Sequence, residues 1–263
     1  MKNITISLVT LLSLSNMAMA DVAVSDVEAK YSNKSTVVAT KDFKQNINFG
    51  FSNTTGNTET LNANGKYDAS FITTGYNNQD LKVSGDLSAF FTENDDVKSN
   101  EEFVANLGLE QFIGNGWLMY TGVNWLRNPD FRNYDNKYAI GAGVGRELYN
   151  DGKQSFALKL GSAYNIEDYA NNLSTEEFGS LNEYAEYNNQ LNKVSKLYIK
   201  AGSMQNFDDM SNDYEALGAI GVNFAVGENI NLSIEEEVAY DNKPTAGLDK
   251  TDTKSIVRVG YAF

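Results

Sequence analysis

The chain has 263 residues, a formal net charge of -14, and neither cysteine nor histidine. These absences exclude disulfides, thiolate nucleophiles and histidine-based hydrolytic sites. The negative charge argues against a nucleic-acid partner, because phosphate contacts need clustered Lys and Arg. We therefore expect no enzyme, cofactor or metal centre, although carboxylates alone can catalyse glycoside hydrolysis.

The first 20 residues resemble a cleaved signal peptide. Lys2 precedes an apolar run from Ile4 to Leu14, and Ala18-Met19-Ala20 forms an A-x-A cleavage site. A membrane anchor would need roughly 18 apolar residues, and this run is shorter. The sequence therefore predicts a signal peptide at 1–20, and the polar residues 21–42 predict a periplasmic N-terminal extension.

From Phe43 onward the sequence alternates between apolar and polar residues, as strands with one greasy and one wet face do. The mean hydropathy of -0.41 together with 12% aromatic residues fits such alternation. Other alternating segments are 61–71, 81–91, 102–110, 137–145, 155–165, 220–224, 230–240 and 254–263, with weaker ones at 182–190 and 196–205. Between Trp117 and Leu126 both parities are apolar, so the two faces of that strand cannot be assigned.

The sequence thus predicts an all-β fold, a closed antiparallel transmembrane β-barrel of about twelve strands spanning residues 43–263. A closed barrel satisfies every backbone polar group in lipid when no spanning helix exists. From the second strand onward, short connections such as IGNG alternate with long ones such as RNPDFRNYDN, which predicts short periplasmic turns and longer extracellular loops. A soluble periplasmic β-protein is the alternative fold.

The polar faces of these strands carry charges of both signs, which we expect inside the barrel. The candidate lumen-lining residues are Lys44, Lys66, Asp68, Lys82, Asp86, Glu102, Glu110, Lys137, Lys159, Glu235, Glu237 and Arg258. About twelve strands lie between barrels that side chains fill and barrels that enclose an aqueous channel. Two arrangements stay open: the charges pair across the lumen and close it, or they line a narrow pore.

Three smaller patterns stand out: a run of glutamates, a series of alternate glycines and several acidic loop groups. Glu235 and Glu237 share a strand face and could bind a cation, but lumen charges facing lysines are the commoner arrangement; Glu236 between them would face lipid at a cost. Gly141, Gly143 and Gly145 lack the spacing of a dinucleotide motif and are expected to leave space inside the barrel or let it bend. The acidic loop groups are Glu93 with Asp95-Asp96, Glu176-Glu177 and Asp208-Asp209, which could bind divalent ions that bridge lipopolysaccharide.

The chain ends on Tyr261 and Phe263 at alternate positions. This ending resembles that of most outer-membrane barrels, where a terminal aromatic residue helps the barrel assembly machinery recognise the chain. Two further segments, the turn Thr55–Thr58 and the run Asn242 to Phe263, resemble the salt-induced outer-membrane protein family (domain of unknown function 481). The resemblance covers roughly residues 43–263 and implies a Gram-negative outer-membrane barrel loosely tied to salt response, without an established activity.

Two functions remain open at this point. The first is a barrel of envelope physiology under salt or osmotic stress, with a narrow, weakly selective pore for small solutes or ions. The second is a structural or adhesive barrel with a plugged lumen that acts through its loops. Both would have outer-membrane lipid, lipopolysaccharide and the assembly machinery as partners.

Overall fold

The computed structural model describes residues 41–55, 60–94, 97–129, 133–170, 174–244 and 249–263. The predicted signal peptide and nearly all of the predicted N-terminal extension lie outside these ranges. Within them, no helix is long and apolar enough to cross a membrane.

Twelve strands form one closed antiparallel barrel, which confirms the predicted fold and strand number. The strands are β1 Lys44–Thr55, β2 Thr60–Thr74, β3 Asp80–Asn94, β4 Val97–Gly114, β5 Trp117–Asn128, β6 Tyr134–Asn150, β7 Gln154–Tyr169, β8 Glu176–Gln190, β9 Ser195–Asn206, β10 Tyr214–Ala225, β11 Ile230–Asp241 and β12 Thr251–Ala262. A short 3-10 helix, Tyr76–Asn78, lies in the connection between β2 and β3.

The barrel closes where β1 pairs with β12, the two ends of the described chain. Phe49 lies opposite Val259, and the backbones of Gln45 and Phe263 exchange hydrogen bonds of 3.2 and 3.1 Å. Closure leaves neither strand as an unpaired edge, so the backbone polar groups of both are satisfied within the sheet.

Alternation separates an apolar outer face from a polar interior. On β1 the inward-facing Asn46 and Asn48 are buried, whereas the outward-facing Phe49 and Phe51 are each 65% exposed. Exposed large apolar side chains recur on the outer face of the other strands; Leu107 on β4 and Ile140 on β6 are examples. Such a continuous apolar belt is unfavourable in water and is typical of a surface that contacts lipid.

The register assigns the two faces of β5 that the sequence left open. Tyr120 lies opposite Glu110 of β4 and is buried, so it faces the lumen, and Trp117 and Met119 face outward. The inward face of β5 also carries Leu118 and Leu126, which is why alternation of polarity did not reveal it.

We define the terminus rim as the end of the barrel where β1 begins and β12 ends, and the loop rim as the opposite end. Connections at the terminus rim are short: 75–79, 115–116, 151–153, 191–194 and 226–229. At the loop rim the strands extend into sequence predicted as loops. For example, β3 ends at Asn94 and β4 begins at Val97, and β8 begins at Glu176 rather than at Asn182. Backbone pairing continues there because the ladder does not depend on the polarity of the side chains, as the pair Ile166 and Glu177 shows.

The turn 151–153 at the terminus rim is organised by one carboxylate. Asp151 accepts hydrogen bonds from the backbone N–H groups of Lys153 (2.9 Å) and Gln154 (2.6 Å), and from the Tyr149 hydroxyl (2.6 Å). These bonds, that of Tyr149 foremost, lower the pKa of Asp151 to about 2. The ionised carboxylate therefore holds the β6–β7 hairpin closed.

We predict that Asp151→Ala lowers the urea midpoint of the refolded barrel at pH about 7 and that this difference shrinks in acid. A folded-state pKa of about 2, below the ordinary value of 3.8, stabilises the fold above pH 3.8, and this stabilisation is lost as the pH falls toward 2. The control is Glu228→Ala in the exposed turn 226–229. A pH-independent difference, or an equal one for the control, would show that the carboxylate has no such role.

Candidate functional site

The lumen is filled with polar and charged side chains that come from all round the barrel. Of the twelve predicted lumen residues, eleven are buried, Lys44 being the exception. Lys44 lies opposite the buried Ser70 but begins β1 at the terminus rim, where its side chain is exposed to solvent. Its parity was inferred correctly, but its position at the rim keeps it out of the enclosed lumen.

Sequence reasoning missed several buried lumen charges, among them Glu167, Glu186 and Lys200. Glu167 belongs to sequence predicted as a loop, and the strands that carry Glu186 and Lys200 have polar residues on both faces. The parity of the preceding strand residues could have identified Glu167, which has the same parity as the buried Asn165.

Near the terminus rim, one glutamate joins two lysines from different walls. Glu110 of β4 lies 3.6 Å from the Nζ of Lys82 on β3 and also pairs with Lys159 of β7. The Lys159 Nζ lies 5.0 Å from the Tyr120 ring centroid and 6.0 Å from that of Tyr184. The Lys159 side chain thus crosses the lumen between two aromatic rings.

The glycines of β6 make room for this arrangement. A Cβ atom on Gly143 would lie 2.7 Å from the Tyr120 ring, so only glycine lets the ring rest on the β6 backbone. Gly141 and Gly145 are on the same inward face. The space that the sequence analysis expected these glycines to leave is occupied here by Tyr120 and by the stem of Lys159.

At mid-depth, a second network surrounds Lys66. Its Nζ lies 3.6 Å from Asp68 and 3.7 Å from Asp86. Asn48 donates a hydrogen bond of 3.3 Å to Asp68, and Asn106 donates one of 2.9 Å to Asp86. The two carboxylates are directly opposite each other on β2 and β3, so the lysine compensates their repulsion.

The largest fully buried side chain, Arg258, forms what we call the clamp with Glu235, Asn64 and Tyr198. Arg258 Nη1 lies 3.2 Å from Glu235 Oε1, and Arg258 Nε donates to Asn64 Oδ1 at 3.3 Å. The Tyr198 hydroxyl donates to Glu235 Oε2 at 2.7 Å. Arg258 and Glu235 are 2% and 1% exposed, so both charges are compensated within the protein.

Two pairs near the loop rim join strands that are far apart around the barrel. Lys137 of β6 pairs with Glu167 of β7 and lies 3.2 Å from Glu215 of β10. Lys254 of β12 lies 4.0 Å from Glu102 of β4. Together with the Lys159–Glu110 pair, these contacts bridge strands three or four places apart around the twelve-stranded barrel and so narrow the lumen at these depths.

The three glutamates of the Glu235-Glu236-Glu237 run have separate environments. Glu235 belongs to the clamp, and Glu237 is buried opposite Lys254. Glu236 faces outward as expected and accepts a hydrogen bond from Ser255. Across the part of the chain that the structure describes, no group of three or more carboxylates is arranged to hold a metal ion.

The acidic loop groups have different environments. The side chain of Glu93 and residues Asp95 and Asp96 lie outside the described residues. Glu177 faces outward and accepts a hydrogen bond from Tyr164, and Asp209 accepts one from Asn212 within its own loop. Glu176 instead lines a cavity at the loop rim.

This cavity, which we call the vestibule, has a volume of about 360 Å³. Its charged lining residues are Glu167, Glu176, Asp213, Glu215, Asp241 and Lys243. The rings of Tyr134 and Tyr169 form one wall, with centroids 5.3 Å apart. Lys243 bonds to Asp213 at 3.1 Å, and this contact raises the pKa of the lysine.

Similarity to known proteins extends over most of the chain. A family model described as "Protein of unknown function, DUF481" matches residues 47–263. The uncharacterized protein YdiY of Escherichia coli (strain K12) is 24% identical over 231 residues, which cover 86% of this chain and 85% of YdiY.

Among solved structures, the fold is similar to the NanC porin, with a TM-score of 0.54, 8% identity, and coverage of 82% of this chain and 98% of that one. It is also similar to the COG4313 outer membrane channel from Pseudomonas putida F1, with a TM-score of 0.53, 10% identity, and coverage of 86% and 97%. At such low identities these matches show the fold, which is that of outer-membrane barrels.

We predict that Arg258→Met destabilises the barrel by about 3–5 kcal/mol, because it leaves the buried Glu235 carboxylate without its cationic partner. Arg258→Met/Glu235→Met removes both charges and should recover most of that loss. Urea unfolding of refolded protein measures both free energies. As a control, Arg127→Met breaks the half-exposed pair with Glu101 (3.6 Å) and should cost less than about 1 kcal/mol. A double variant less stable than the single one would contradict the role of the clamp.

Proposed function

Because the chain belongs to the DUF481 family of unknown function and folds as a closed twelve-stranded barrel, we propose that it is a non-enzymatic outer-membrane protein whose lumen is closed at rest by its own ion pairs. In this proposal the barrel conducts small ions when those pairs separate. The observation that carries the proposal is a set of three ion pairs that reach across the lumen between strands three or four places apart: Lys159–Glu110, Lys137–Glu215 and Lys254–Glu102.

The apolar outer belt and the signal-peptide pattern support the outer membrane as the location. The belt would contact the lipid tails, and the loop rim would face lipopolysaccharide outside the cell. The absence of histidine and cysteine from the chain supports a role without catalysis.

The chemistry of the lumen supports a closure that can open. A barrel that only had to be plugged could be filled with apolar side chains, which are often as stable as buried ion pairs or more so. Charged side chains, in contrast, can exchange their partners for water, so their separation produces a wet lumen. Salt screens exposed pairs such as Lys243–Asp213 more than buried ones. We therefore infer that rising ionic strength loosens the loop rim first, consistent with a role in salt or osmotic stress.

We predict that the wild-type barrel is silent in planar bilayers, whereas Lys159→Ala/Glu215→Ala/Lys254→Ala conducts in discrete steps. This open variant removes one side chain from each of the three bridging pairs, and it leaves Glu110 paired with Lys82 and Lys137 paired with Glu167. The matched control replaces the same three residues with Met, which removes the ion pairs but keeps the side-chain volume. Because the pairs are lost, this control should conduct as well, in smaller steps. Folding of each variant is checked by the heat-dependent gel shift.

Three outcomes would contradict parts of this proposal. Large steps from the wild type would show that the lumen is open at rest. A silent Met control beside a conducting open variant would show that side-chain volume rather than ion pairing closes the lumen. A folded open variant that inserts and stays silent would overturn the latent channel and favour the second candidate, a structural barrel that acts through its loop rim.

We also propose that the barrel assembly machinery recognises Tyr261 and Phe263. Both side chains are about half exposed on the outer face, with ring centroids 6.1 Å apart, and the backbone of Phe263 closes the seam with Gln45. We predict that Phe263→Ala lowers the amount of folded barrel in cells but leaves refolding in detergent unchanged, because the backbone bonds persist. A gel-shift assay of both preparations tests this. Equal losses in cells and in detergent would assign the ring a purely structural role.

A further inference from the structure

We propose that the vestibule concentrates cations and that the lumen behind it, when open, passes cations in preference to anions. The permeation half of this inference rests on the proposed function, whereas the accumulation of cations in the vestibule does not.

The vestibule walls place like charges directly opposite each other. Glu167 of β7 is paired with Glu176 of β8, and Glu215 of β10 with Asp241 of β11. Like charges at directly opposite positions of a sheet destabilise it unless a cation compensates them. Two such pairs therefore line a single cavity of about 360 Å³.

Among the residues that the structure describes, the basic side chains that contact these carboxylates are fewer than the carboxylates themselves. Lys137 contacts Glu167 and Glu215, one from each pair, and Lys243 bonds to Asp213. Within the described lining, five carboxylates thus share two lysines, which gives this part of the vestibule a net negative charge.

The lumen below the vestibule has the same sign. Outside the vestibule, seven of the buried side chains that the structure describes are acidic and five are basic, and the partly buried Lys254 is a sixth basic group. A cation that leaves the vestibule therefore enters a lumen with a small excess of negative charge, which disfavours an anion.

A cleft lined by one sign of charge between low-dielectric walls focuses the field and raises the local concentration of counter-ions. Acidic rings select cations in channels by the same mechanism. The faces of Tyr134 and Tyr169 are compatible with cations as well. Since no group of three carboxylates among the described residues is arranged as a metal site, the cations would be accumulated and not tightly held.

The first experiment measures ion accumulation in the closed wild-type barrel. The chain has no cysteine, so Ser174→Cys at the vestibule carries a single fluorescent label, and Leu191→Cys in the exposed turn 191–194 is the reference. Each labelled protein is quenched separately by Tl⁺ and by iodide. We expect the cation-to-anion quenching ratio to be roughly tenfold higher at the vestibule at low salt. The difference should nearly vanish at about 1 M salt, where the Debye length is only about 3 Å.

Charge-neutral variants locate the effect. Glu176→Gln/Asp241→Asn, which keeps the shape of the vestibule, should lower the ratio by at least about half, and Glu228→Gln/Asp80→Asn at the terminus rim should not change it. Equal quenching ratios at the two labelled sites, or equal effects of the two variants, would overturn the proposal that the vestibule concentrates cations.

The second experiment measures the reversal potential of the open variant in a KCl gradient of about tenfold. A potential near that of K⁺, moved toward zero by Glu176→Gln/Asp241→Asn, is expected. A conducting variant that prefers Cl⁻ would overturn the permeation half of the inference. A silent variant would overturn the proposed function, and the quenching result would still decide whether the vestibule accumulates cations.

Discussion

Closure of the sheet is the constraint on which the rest of this structure depends. In lipid no water can satisfy a backbone N–H or C=O group, so every strand needs a partner on both sides. The pairing of β1 with β12 meets this requirement with segments from the two ends of the described chain. Successive side chains of a strand point to opposite faces of the sheet, so in a closed sheet every second side chain points into a space that lipid cannot reach.

A closed barrel of twelve strands must then fill or hydrate its interior. Here the fill is made of long charged side chains, packed against glycines where rings or alkyl stems need room, as with Tyr120 on Gly143. The cost of burying charges is offset by pairing, which is why Arg258 and Lys66 each contact more than one polar partner. The filling of the lumen thus depends more on charge compensation than on apolar packing.

The same compensation is incomplete at the loop rim. The networks below the vestibule place a lysine or arginine against most carboxylates, whereas the vestibule has two opposed acidic pairs and two lysines. The electrostatic character of the barrel therefore changes along its axis, from nearly balanced pairs inside to a larger excess of negative charge at one mouth. We expect this gradient to give the two ends of the barrel different affinities for ions.

The sequence by itself determined the closed barrel, the strand number and the inward parity of most charged residues, because alternation is a local property that each strand shows separately. It also predicted an outward Glu236 and inward glycines on β6. It could not assign the faces of β5, where Leu118 and Leu126 point inward, or find Glu167 in a stretch that looked like a loop.

Only the tertiary structure decided which charges meet. Lys137 and Glu215, for example, are 78 residues apart in sequence, and their strands are four places apart around the barrel. The curvature and register of the closed sheet set these distances. Since no local pattern encodes them, neither the ion pairs that cross the lumen nor the acidic vestibule could be read from the sequence.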